Sequence, residues 1–226
     1  MVLFLSGCKD PMNNKNQPSD GNLIKSSLER DTSPTLAEGE LNRLVTDNTT
    51  FALNFYHQVK GTAGNLLFSP HSISTALAMT YAGAFGNTET QMARALQFNL
   101  SQDRLHPAFN ALDLALNSRG KNGTEGSGTS FRLNIVNATW GQLGYSFLSD
   151  FLDVLALNYG AGMRVLDFSS NPDAARITIN DWVAKQTEDR IKDLLPDGSV
   201  TQDTRLVLTN AIYFFASWAI PFDKTL

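Results

Sequence analysis

Cysteine is almost absent from this chain of 226 residues: Cys8 is the only one, so no disulfide can close within the chain and no thiolate metal cluster can form. Histidine is nearly as scarce. His57, His71 and His106 show no H-x-x-x-H spacing and no companion carboxylate pattern, so neither a metal site nor a cofactor is expected. Long apolar runs are missing as well; nothing approaches the roughly 20 residues that a membrane-spanning helix needs. No cluster of Lys or Arg is long enough to grip nucleic acid, there is no acidic tail, and the net charge is only −4. With 42% hydrophobic and 18% charged residues, most of the chain should fold around a sizeable core, as one large domain or two small ones.

The first eight residues, Met1-Val-Leu-Phe-Leu-Ser-Gly-Cys8, resemble the lipobox of bacterial lipoproteins, in which the signal is cut before a cysteine that is then lipid-modified. Several acyl chains on one residue anchor stably, whereas a single chain binds only marginally. Residues 1–8 are therefore read as the end of a lipoprotein signal, with the recorded start inside a longer one, and the protein as extracytoplasmic: secreted, or lipid-anchored at the bacterial envelope or surface. Residues 9–40 are polar, aperiodic and rich in Asn, Ser and Pro; such a composition does not repay its ordering entropy and reads as a flexible tether. The folded part is residues 41–226.

Leu44, Val45, Phe51, Ala52, Phe55, Tyr56 and Val59 recur at helical spacing, and Gly61 and Gly64 close the segment. Leu66 to Phe68 read as a short strand. Ser69 suits the cap of the next helix and Pro70 its first turn, where the missing N–H has no partner to lose. That helix, with Ile73, Ala76, Leu77, Thr80 and Tyr81 on one face, is predicted to be central and buried. Thr88 to Gln91 form a capping box for another helix. Leu105, Phe109, Leu112 and Leu116 mark a third. A Gly/Asn/Ser/Thr loop over 117–130 precedes an alternating strand from Phe131, a helix over Phe147–Asn158, a strand over Met163–Phe168 and a helix opened by Asn171-Pro172. Thr204 to Phe215 is apolar on both faces, which places it in the middle of a covered sheet. The order implies an α+β fold.

Five stretches resemble the serpin family in order and spacing. They are Asn65-Leu-Leu-Phe-Ser69-Pro70-His-Ser72-Ile73; Gly83-Ala84-Phe-Gly86-Asn-Thr88; Asn137-Ala138 before Trp140; Asn180-Asp-Trp182-Val183 with Thr187, Ile191 and Leu194-Leu195; and Leu208-Thr209-Asn210-Ala211-Ile212-Tyr213-Phe214 followed by Trp218. Phe215 and Ala216 stand where many members carry Lys and Gly, which bears on strand-end geometry alone.

The resemblance implies the serpin fold, helices packed around large mixed sheets, and a protein that is not an enzyme. It implies an inhibitor of serine-type or cysteine-type endopeptidases, acting as a suicide substrate whose cut loop inserts into the central sheet. The alternatives are a non-inhibitory serpin serving as a binding or carrier protein, or a structural surface lipoprotein. By resemblance, Ser69, Ser72 and Asn210 belong to the shutter beneath the sheet, Trp218 to the breach where insertion begins, and Cys8 is the lipidation site. The partner is a protease, with no nucleic acid, contact with membrane only through the lipid, and a monomeric full-length protein. The family's reactive loop falls beyond Leu226, making the chain an N-terminal fragment of the family's domain.

Two local readings stand without the resemblance. The Asn210 amide, midway along an apolar strand, needs a buried partner, and hydroxyls at the start of a buried helix are suitable ones. His71 beside two serines is no triad, since no carboxylate partner and no Gly-x-Ser-x-Gly accompany it, so no catalytic residue is expected. The Asn-x-Ser/Thr triplets at Asn48, Asn99, Asn122 and Asn137 are discounted as glycosylation sites in a chain with a bacterial signal.

Overall fold

The strand with two apolar faces organises the molecule. In the computed structural model, which describes residues 2–6, 23–24, 26–119, 131–216 and 218 (2–6 and 131–132 through their backbone), it is β5, Thr204–Ala216. The other strands are β1 (Val2–Ser6), β2 (Leu23–Ile24), β3 (Phe131–Gln142) and β4 (Met163–Leu166). They form one sheet in the order β1-β5-β3-β4-β2. β3 and β5 pair antiparallel from Phe131↔Ala216 to Gly141↔Leu206. β3 and β4 run parallel, which requires a crossover, and helix α5 (Ser149–Tyr159) provides it.

Alternate residues of β5 go to different cores, as the period of two dictates. Leu206 and Leu208 join a cluster with Ile73, Met79, Phe109 and Leu155. Val207 and Ala211 join a second with Trp140, Phe168, Ile179 and Val183. The first cluster lies under α1 (Glu40–Val59), α2 (Pro70–Tyr81), α3 (Gly86–Leu96), α4 (Gln102–Arg119) and α5. The second lies under α6 (Pro172–Gln186). An α+β architecture results, with α2 as central as its alanines imply: Ala76, Ala78 and Met79 are all at most 1% exposed. Close approach is also needed at Gly141, where a Cβ would meet the Phe147 ring at 2.5 Å.

Four local expectations change. Leu66–Phe68 form no strand, and Leu67 is 97% exposed, because among the described residues no strand lies alongside to share its backbone bonds. α3 starts at Gly86, with Phe85 at the cap position, so Thr88 sits inside the first turn and forms no capping box. α1 buries Leu44 and Phe51 but leaves Val45 and Tyr56 exposed, a narrower face than its apolar stripe. Finally, the part of the tether nearest the domain is docked. Arg30 pairs with Asp113 at 2.7 Å, Asp31 N–H donates to the Leu157 carbonyl at 3.0 Å, and Arg104 bonds the Glu40 carboxylate. Three polar anchors spread over 26–40 fix a segment whose composition supplies little apolar burial.

Candidate functional site

Where α2 meets the sheet, polar side chains interrupt an apolar interior. Ser69 caps α2: its Oγ accepts the Ser72 N–H at 3.3 Å and the Ser72 hydroxyl at 3.0 Å. Opposite lie Asn137 and Asn210, direct register partners on β3 and β5, with Asn210 Nδ2 donating to Asn137 Oδ1 at 2.6 Å. By the alternation of β5, Asn210 shares the face of Leu208, the face on which α2 packs. Thr75 of α2 and Thr139 of β3, both buried, have hydroxyls with no hydrogen-bond partner among the described residues. Among the described residues, Thr75 and Thr139 thus bring hydroxyls that this layer does not bond.

Asn210 thus finds its partner across the strand pair, while the two serines bond to each other; the serine hydroxyls are not the partners that the sequence suggests. Asn137 is the member sequence reasoning missed. Its signal was present, since an Asn at the centre of an apolar strand raises the same question as Asn210. Replacing Asn137 with Ala removes the acceptor from a buried amide, and the expected loss is about 1–3 kcal/mol in denaturant unfolding.

Trp218 follows the end of β5 and is 69% exposed. Cys8 lies outside the described residues. His71 is drawn below its ordinary titration range by burial, with Asp113 opposing, and no hydrogen bond joins it to Ser69 or Ser72 among the described residues. Its Nε2 has no partner there either. No nucleophile–base pair results from the serines and this ring. Among the described residues no three His, Cys, Asp or Glu side chains gather as metal ligands, and no helix is long and apolar enough to cross a membrane.

Residues 46–226 match the family described as Serpin (serine protease inhibitor). The chain belongs to the serpin family. A serpin-like protein of Thermococcus kodakarensis is 36% identical over 227 residues, covering 98% of this chain and 51% of that protein. The leukocyte elastase inhibitor of Sus scrofa is 41% identical over 180 residues, covering 79% of this chain and 45% of its own length. Among solved structures, emu ovalbumin (Dromaius novaehollandiae) matches with a TM-score of 0.70 at 26% identity, covering 80% of this chain and 49% of ovalbumin. A cleaved serpin 42Da matches with the same TM-score at 29% identity, covering 83% of this chain and 47% of its own. The fold is thus the serpin fold, and the chain spans about half the length of the relatives it matches. The family is described as one of serine protease inhibitors, and relatives in Sus scrofa and Homo sapiens are named leukocyte elastase inhibitor.

Proposed function

We propose that the protein carrying this serpin chain inhibits serine or cysteine endopeptidases as a suicide substrate, by admitting its cleaved loop as a new strand beside β5. One observation carries the reading: the outer edge of β5 takes an added antiparallel strand. Val2–Ser6 pair along Thr204–Thr209 on that edge. Backbone bonding supplies the affinity in such additions, and an incoming strand needs only to match the edge's spacing. Beneath it, Ser69, Ser72, Asn137 and Asn210 act as the shutter. Their bonds hold the closed sheet, and the spare capacity of Thr75 and Thr139 lets them re-form after movement. In the same reading Trp218, exposed just past the end of β5, is assigned to the breach; its position after that strand supports this.

In the same reading Cys8 carries the lipid and the protein acts outside the cytoplasm, as a monomer tethered at the envelope. The apolar run before Leu5-Ser6-Gly7-Cys8 supports this. Val2–Ser6 then leave with the signal, and the β5 edge becomes open.

Incubating the full-length gene product with a panel of serine and cysteine proteases tests the reading. A complex that survives boiling in detergent is expected with at least one protease. Cleavage with no such complex across the panel would contradict the inhibitory reading.

A further inference from the structure

On the α6 side of the sheet, one row of side chains runs across three strands and ends on the helix. Thr209 of β5 accepts the Trp140 indole N–H at 3.1 Å. Trp140 of β3, fully buried, meets Trp182 of α6 edge-on, with ring centroids 5.6 Å apart and planes at 82°. Arg164 of β4 lies opposite Trp140 in the β3–β4 register. Its guanidinium carbon is 5.7 Å from the Trp140 centroid and 5.8 Å from the Trp182 centroid. Among the described residues no carboxylate pairs with Arg164.

We propose that Arg164 is a positioning residue that clamps α6 to the sheet, one guanidinium shared between a strand indole and a helix indole. The other contacts of α6 with the strands do not fix its place in this way. Ala175, Ile179 and Val183 are apolar, and apolar contact is non-directional. The bonds of Asn180 go to Leu195 N–H and carbonyl, at 2.8 and 2.9 Å, which ties α6 to the segment after it and not to the sheet. Arg176 likewise reaches Asp173, Asp197 and the Leu195 carbonyl. A cation over a ring is directional and partly desolvated here, so it sets where along the strands the helix sits. In the loop-insertion reading, on which this consequence rests, a helix lying across the sheet must shift, and the clamp governs how readily. The clamp itself does not depend on that reading.

Backbone hydrogen exchange compares the unmodified full-length gene product with its Arg164→Met variant, which keeps the length and removes the charge. Amides of α6 are expected to exchange about tenfold faster, while those of α1, α2 and α4 stay unchanged. The near-UV dichroism of the indole pair should weaken in parallel, and Arg164→Lys should recover part of both signals. Unchanged exchange in α6, or equal acceleration in every element, would overturn the proposal. Should Arg164→Met fail to fold, Trp182→Phe keeps an aromatic face in the same packing. It too should accelerate α6 selectively, and an unchanged α6 in that variant overturns the proposal equally. Loss of protease inhibition elsewhere has no bearing on these readouts.

Discussion

Trp140→Ala is expected to lower unfolding stability by about 3–5 kcal/mol, read as a shift in denaturant midpoint at constant slope. Trp140 is among the largest fully buried side chains, 1% exposed, in the core between β3, β5 and α6. Truncation opens a cavity that strands paired over eleven register positions cannot collapse to fill. It also strips Thr209 Oγ1 of the indole N–H it accepts at 3.1 Å. Trp140→Phe separates the two contributions: most of the ring volume stays, the hydrogen bond goes, and the expected loss falls to about 1–2 kcal/mol. Adding Thr209→Val to Trp140→Phe should not deepen that loss much, because the hydroxyl then has no indole to miss. Its remaining bond, to the Ala138 carbonyl at 3.4 Å, is long. A cost for Trp140→Ala below about 1 kcal/mol would mean that the second core is not the packed layer described.

Acidification is expected to destabilise the protein well before its carboxylates titrate. His106 of α4 is 2% exposed, with Nδ1 at 2.7 Å from the hydroxyl of Tyr159 on α5. Burial drives its pKa down to about 4. The unfolded chain takes up this proton near pH 6.5. Between the two values the unfolded state binds more protons, so stability falls as pH falls. The contribution is fully present above about pH 6.5 and lost by about pH 4, a total of about 3 kcal/mol, of which about 2 is gone at pH 5. Burial also lowers the His71 pKa, so it adds with the same sign. Glu40 and Asp167, whose pKa values are lowered, add theirs only at more acid pH. The causes are the Arg104 hydrogen bond for Glu40, and hydrogen bonds from Ser169, Ser170 and Gln142 that outweigh burial for Asp167. Denaturant unfolding at pH 7.5, 6 and 5 checks the slope. His106→Gln, whose amide can still meet Tyr159, should remove most of it, and an equal slope in that variant would assign the acid sensitivity elsewhere.

The elements legible in the sequence are those decided by local or periodic chemistry. β5 showed its place because no alternation was present to suggest a wet face. α2 was marked by Ser69 and Pro70 at its start and by small residues all round, and the structure buries it on nearly every side. What was not legible depends on partners distant in sequence. Leu66–Phe68 have strand residues but no neighbouring strand among those described. The tether's final stretch looks like a linker until Asn110, Asp113 and Leu157 supply its bonds, from about 80 to over 120 residues away in the chain. Asn210 called for a partner, yet its identity depended on the β3–β5 register, which no local pattern encodes. Arg164 carries no sequence signal at all, since a lone Arg on a strand is ordinary until two indoles converge on it.

Loop insertion beside β5 is most directly tested by hydrogen exchange over residues 204–216 in the full-length gene product, before and after a single cut by a protease that it inhibits. Slower exchange across those amides after the cut, extending past Thr209 to Ala216 where β1 does not reach, is the predicted result. Unchanged exchange along β5 after a complete cut would contradict strand insertion at this edge.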